Sequence, residues 1–282
     1  MTQSPAAEAQ ALAVLPGALV LVGAGKMGSA LLTGWLGRGA DPARIAVIEP
    51  KPAAEIVGLS ERGVRFNPPA GALPEAAVVV LAVKPQQAEA VVPAIAPLVG
   101  AATLVLSIMA GRTIAGLADG LPPGAAIVRC MPNTPAAIGC GITVAVPNRY
   151  VTPAQRELAG RLLMATGAVE WIDDEGLLDA VTAVSGSGPA YVFLLAETLA
   201  TAGVAAGLPA ALAERLARAT VAGSGALIER SGIDPATLRQ NVTSPGGTTQ
   251  AALSLLMQPD GLPALMRAAV AAAAQRSREL AR

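Results

Sequence analysis

Ala18-Leu19-Val20-Leu21-Val22-Gly23-Ala24-Gly25-Lys26-Met27-Gly28 decides how this chain folds. Five apolar residues in a row read as a strand buried on both faces, as a parallel sheet requires. The glycines have G-x-G-x-x-G spacing, directly after that strand and opening a helix over Met27–Gly37. In that context Gly23 makes the tight turn, Gly25 lets a pyrophosphate approach the backbone, and Gly28 lets helix and strand pack closely. Free N–H groups and the helix dipole suit a phosphate, and Lys26 and Met27 sit at the same tip. A glycine-rich turn without a ligand is the competing reading; strand, spacing and helix together weigh against it.

Outward from this turn, Ile45–Ile48, Val78–Val83, Thr103–Ser107 and Ala126–Cys130 are further short runs rich in Val, Ile and Leu. Helical patterns at Gln86–Leu98 and Thr113–Ala118 lie between several of them, which predicts a doubly wound α/β domain. Ile142–Val146 and Val169–Ile172 are further strand candidates, separated by a helix that Thr152 caps with Pro153 in its first turn. After about residue 174 the strands stop. Helices are predicted over Ser187–Ala206, Ala210–Arg230, Pro235–Gln240, Gln250–Met257 and Leu262–Ala281, with Gly207 and Gly232 as C-terminal caps. The expected division is an N-terminal extension (1–15), a Rossmann-like dinucleotide-binding domain (16–174) and an all-α dimerisation domain (175–282). Two of these helices are apolar nearly all round, which predicts burial against a second copy. Gly203, Gly207, Gly223 and Gly225 would let helices approach closely.

Open α/β sheets bind ligands at the carboxyl ends of their strands. Glu49 ends the second strand about 20 residues beyond the glycine turn, the spacing of a ribose-binding acid. A carboxylate there accepts from both ribose hydroxyls and repels a 2′-phosphate, favouring NADH. Lys51 could still pair with such a phosphate, or simply be solvated. Lysine occurs only at Lys26, Lys51 and Lys84, all in loops of the expected cofactor rim. Ala82-Val83-Lys84-Pro85, Ser107 and Asn133 end or follow three successive strands on that rim. Each alone reads equally as a loop or cap residue.

Composition removes whole classes of chemistry. There is no histidine, which removes every Ser-His-Asp triad, the usual metal ligand and the usual general base. Cys130 and Cys140 lie in apolar surroundings and form no CxxC pair, so both are expected as buried thiols, with no disulfide and no metal site. The chemistry must rest on a cofactor and on positioning by hydroxyls and backbone groups. Twenty basic residues balance twenty acidic ones without a basic run, which argues against nucleic acid as a partner. The longest apolar runs, Ala76–Val83 and Ala268–Ala274, fall far short of the ~20 residues of a membrane span. The first fifteen residues carry no Lys or Arg, unlike a secretory signal. The expectation is a cytoplasmic protein with no membrane partner.

Ser244-Pro245-Gly246-Gly247-Thr248-Thr249 sets two glycines and three hydroxyls at a helix start. This is either an anion site or a capped helix with Ser244 as cap and Pro245 behind it. Taken with Arg129-Cys130-Met131-Pro132-Asn133-Thr134-Pro135, Thr182-Ala183-Val184-Ser185-Gly186-Ser187-Gly188-Pro189-Ala190-Tyr191 and the glycine turn, it closely resembles the pyrroline-5-carboxylate reductases from about residue 18 to about 275. Glu49 departs from the short polar or basic residues common there. The resemblance implies reduction of 1-pyrroline-5-carboxylate to proline with NADPH or NADH, in a dimer or an oligomer of dimers. It implies a nicotinamide between Val83-Lys84-Pro85 and Met131-Pro132-Asn133. It puts the substrate carboxylate on Ser244, Gly246, Gly247 and Thr248, and the Thr249 hydroxyl at the imine nitrogen. Ser187 becomes either a helix cap alone or a cap whose small neighbours leave room for the pyrroline ring. The rivals are a β-hydroxyacid dehydrogenase, which needs a lysine on a C-terminal helix where none occurs after Lys84, and a non-catalytic dinucleotide sensor, which leaves 244–249 unexplained.

Overall fold

The computed structural model describes residues 12, 15–69, 72–73 and 76–280. Eight strands form one sheet: β1 (Ala18–Val22), β2 (Ile45–Ile48), β3 (Arg65–Phe66), β4 (Ala76–Leu81), β5 (Leu104–Ser107), β6 (Ala126–Met131), β7 (Gly141–Pro147) and β8 (Gly167–Trp171). Their spatial order is β3-β2-β1-β4-β5-β6-β7-β8. Every neighbouring pair is parallel except β6 and β7, which run antiparallel with Cys130 opposite Ala145. The first helices of the chain are α1 (Lys26–Gly37), α2 (Ala54–Val57), α3 (Ala88–Ile95), α4 (Ile114–Ala118), α5 (Pro153–Leu163) and α6 (Leu178–Val181).

The apolar runs are continuous because both faces of the sheet are covered. Leu19 and Leu21 of β1 pack with Leu31, Leu32 and Trp35 of α1 and with Leu158 and Leu162 of α5. Val20 and Val22 point the other way, into a second cluster with Val92 and Ile95 of α3 and Leu117 of α4. The Trp35 indole N–H donates to the Leu162 carbonyl at 3.0 Å, so this large ring is buried without an unmet donor. Thr152 caps α5 as expected, accepting from the Gln155 amide, while the Gln155 side chain accepts from Thr152 N–H.

The chain divides into two compact units, 187–273 forming the second and the rest the first. The final stretch of the last helix belongs to the first unit, where the Ser277 hydroxyl donates to Asp179 at 2.6 Å. Most of the expected N-terminal extension lies outside the described residues. Leu12 and Leu15 are described, and both are buried in the first core. Expected strands and helices are found to within a few residues; β3 and α2, of two and four residues, carry too little periodicity to be read from sequence.

The second unit contains α7 (Gly188–Ala205), α8 (Ala210–Ser231), α9 (Pro235–Asn241), α10 (Thr248–Leu256) and most of α11 (Leu262–Leu280). Gly207 and Gly232 adopt the left-handed conformation after α7 and α8, as C-terminal caps do. Of the four glycines expected to bring helices together, Gly203 does so: a Cβ there would lie 3.2 Å from that of Ala213. Gly223 and Gly225 face open space. No residue of α7 is buried, and Phe193, Leu194 and Leu195 are each more than half exposed. The helical run 175–205 is, by length and composition, apolar enough to cross a membrane, which the run-length reading of the sequence did not show.

Candidate active site

In the first unit, the turn between β1 and α1 has the geometry its glycines predict. Gly23 has a φ of +91°, which a side chain rarely adopts. A Cβ on Gly28 would collide with the Gly23 carbonyl oxygen, so helix and turn can pack only with glycine there. Gly25 caps α1 with no side-chain bond, and nothing lies within 4 Å of where its Cβ would stand. The first-turn amides of α1 have no helical acceptors and point from this tip. Open space at Gly25 beside free amides is what a pyrophosphate needs, so the residues present fit a dinucleotide.

A cavity of about 600 Å³ opens from that tip. It is lined by Gly25, Lys26 and Met27, by Ala82, Val83, Lys84 and Pro85 after β4, and by Met131 and Asn133 after β6. These expected rim residues, far apart in sequence, therefore share one cavity. The Arg112 guanidinium braces the rim, donating to the Pro85 carbonyl at 3.1 Å and pairing with Glu89 at 3.4 Å. Asn133 has its side-chain oxygen engaged by the Ile142 N–H at 2.9 Å, which fixes the loop after β6 to the start of β7.

Ser107 does not line the cavity. It is fully buried at the end of β5, and its hydroxyl oxygen accepts the Met109 N–H at 3.3 Å. The residues after it, Ile108, Met109 and Ala110, form that wall instead. Gly186 also lines the cavity. It closes a single π-helical turn, Thr182–Gly186, and a Cβ there would approach the Met131 methyl at 2.5 Å. Such turns recur at functional sites, but hydrophobic periodicity gives no warning of one.

Glu49 lies beside the glycine turn rather than in the cavity wall, its carboxylate accepting the Ala24 N–H at 2.9 Å and the Lys51 N–H at 3.0 Å. Lys51 is exposed. Among the described residues no cluster of His, Cys, Asp or Glu could hold a metal. Cys130 is the buried thiol expected, its pKa pushed up by that burial, whereas Cys140, also expected to be buried, is exposed.

In the second unit, the turn 244–247 leads into α10. Gly246 has a φ of +72°, and the Gly247 N–H closes the turn on the Ser244 carbonyl at 3.1 Å. Ser244 is thus not the helix cap; Gly247 holds that position without a side-chain bond. Two of the three amides expected to bind an anion are already used. Gly247 bonds within the turn, and the Gly246 N–H donates to Gln250 Oε1 at 2.5 Å. The available donors shift to the first-turn amides from Thr248 onward and to the hydroxyls of Ser244, Thr248 and Thr249. Ser187 has helical φ and ψ of −87° and −24° and makes no cap bond, so the reading of it as a capping side chain does not hold. Its hydroxyl has no role in helix termination.

Residues 175–280 match the family described as pyrroline-5-carboxylate reductase dimerisation. Residues 18–111 match that described as NADP oxidoreductase, coenzyme F420-dependent. The pyrroline-5-carboxylate reductase of Pseudomonas aeruginosa is 44% identical, covering 93% of this chain and 96% of its own. A solved pyrroline-5-carboxylate reductase from Coxiella burnetii superposes with a TM-score of 0.87 at 34% identity, covering 95% of this chain and 100% of its own. The Plasmodium falciparum pyrroline carboxylate reductase, solved with NADP bound, reaches 0.81 at 29% identity, covering 95% and 99%.

Proposed function

This chain belongs to the pyrroline-5-carboxylate reductase family, an NAD(P)H-dependent oxidoreductase of proline biosynthesis, and on that premise we propose how its residues divide the work. The observation that carries the reading is the open space at Gly25, on a helix tip that feeds the 600 Å³ cavity. The amides of Lys26 and Met27 hold the pyrophosphate, and Gly23 and Gly28 make the turn that presents them. Glu49 faces the adenosine ribose. Ala82–Pro85 on one side and Met131–Asn133 on the other flank the nicotinamide, which supplies hydride when the reduced cofactor is bound.

The turn at α10 takes the substrate. Ser244, Thr248 and the first-turn amides of α10 hold its carboxylate, Gly246 and Gly247 shape the turn, and Thr249 places its hydroxyl at the imine nitrogen. Ser187, freed from capping, lines the ring. Reduction needs a hydride at carbon and a proton at nitrogen. A protonated imine is already electrophilic, so orientation is the main task, with up to about 7–11 kcal/mol available from it. A chain without histidine can do this, because no strong base is required.

We further propose that the apolar face of α7 is covered by a second copy, giving a dimer or an oligomer of dimers, and that 244–249 serves the cofactor of a neighbouring subunit. The family match over 175–280 and the exposed Phe193, Leu194 and Leu195 support this. That interface accounts for the apolar helix without a membrane, and we place the enzyme in the cytoplasm. The deciding experiment follows NADH and NADPH consumption with 1-pyrroline-5-carboxylate, beside a larger cyclic imine, and NAD⁺ reduction with a 3-hydroxyacid. Rapid oxidation with the five-membered imine is expected. Turnover of the hydroxyacid alone would overturn the reading.

A further inference from the structure

At the carboxyl end of β2 the structure builds a fixed acid from two residues eighteen positions apart. The backbone of Glu49 is gripped on both sides by one side chain. Its N–H donates to Asn67 Oδ1 at 2.9 Å, and Asn67 Nδ2 donates back to its carbonyl at 2.8 Å. Asparagine can do this because its amide carries a donor and an acceptor in one plane. To reach that position Asn67 adopts a φ of +46°, the one non-glycine positive φ among the described residues, and its N–H donates to the Val47 carbonyl at 2.8 Å. Such a conformation is strained for a residue with a side chain and persists only where its surroundings require it.

The carboxylate is held from the other end. One oxygen accepts from Ala24 inside the glycine turn and the other from Lys51. Four hydrogen bonds therefore fix both where the residue starts and where its charge ends. Each carboxylate oxygen keeps a lone pair for a further donor, such as a ribose hydroxyl. A glutamate on a free stem could swing aside for a phosphate; this one is tied to the turn that carries the pyrophosphate.

We propose that Asn67 is a positioning residue that, through Glu49, makes this enzyme select NADH over NADPH. The inference rests on the cofactor site proposed above. A 2′-phosphate would bring a second anion against a carboxylate that cannot retreat. The exposed Lys51 offers little in return, because a single solvated ammonium contributes weakly. Nothing in the hydrophobic pattern singles out Asn67, which follows the two-residue strand β3.

The test is calorimetric binding of NADH and NADPH to the full-length protein and to N67G, E49S and the double variant. Glycine accepts the left-handed backbone, so N67G removes only the clamp. The wild type is expected to bind NADH at least about 10-fold more tightly than NADPH. N67G should shrink that ratio about 3–10-fold, the scale of one ordinary hydrogen bond lost or loosened. E49S should shrink it further, and adding N67G to E49S should change nothing more. Equal binding or an NADPH preference in the wild type overturns the proposal. So does a loss in N67G that is the same for both cofactors, or an equal change of ratio in the E49S background. Because binding is read without turnover, failure to reduce the imine overturns the activity reading alone.

Discussion

Arg129 donates from Nη1 to Glu175 Oε1 at 2.7 Å, and the same oxygen accepts the Ile114 N–H at 2.8 Å. One carboxylate thus joins the end of β6, the start of α4 and the short turn before α6. The Arg129 side chain is only 7% exposed. Removing Glu175 leaves a nearly buried guanidinium unpaired, so Glu175→Ala should cost about 3 kcal/mol in urea unfolding. The double change R129M/E175L should recover much of that. A variant E175A as stable as wild type would show that the pair is incidental.

Gly25 and Gly28 lie three residues apart and should fail differently. A Cβ at Gly25 has nothing within 4 Å, so Gly25→Val should fold with nearly unchanged Tm while losing dinucleotide binding. At Gly28 even a methyl group meets the Gly23 carbonyl, which is backbone and cannot turn away. Gly28→Ala should cost about 2–3 kcal/mol of stability. Thermal melts and cofactor titration of both variants separate the two effects.

Thr249→Ala should lower kcat/KM for the imine about 10–1,000-fold, or roughly 1.4–4 kcal/mol at the barrier. Cofactor affinity should be unchanged, since the dinucleotide is held by other residues. Wild-type turnover in this variant would reject the hydrogen bond assigned to its hydroxyl.

The two cysteines should differ in reactivity. Cys130 is buried and its thiol is pushed up by that burial, while Cys140 is exposed. The thiolate is the reacting form, so burial keeps Cys130 protonated and out of reach of a reagent, while the exposed Cys140 is open to one. One equivalent of a thiol reagent should react with the native protein and a second only after denaturation. Mass spectrometry of the peptides would identify each site, and native labelling of Cys130 would contradict the buried placement.

Residues that act where they stand in the chain were the legible ones. The β1 run could be read because both faces of a central parallel strand are buried, so Leu19 and Val20 are apolar for the same reason on opposite sides. Gly23, Gly25 and Gly28 could be read because a phosphate turn makes different steric demands at each. Ser107 misled because a polar residue ending a strand looks the same whether it faces the rim or turns inward to the Met109 N–H. Ser187 misled because a hydroxyl before a helix is most often a cap, and it makes no cap bond; for Ser244 the structure removes the cap alternative.

The sequence by itself determined the order of strands and helices, the phosphate turn and the family, because these depend on local sterics and on the periodicity of burial. Only the tertiary structure decided the reversal of β7 against β6, the cavity shared by loops after β1, β4 and β6, and the grip of Asn67 on Glu49. Those depend on which distant backbone groups meet, and a hydrogen bond across eighteen residues leaves no periodic trace in the chain.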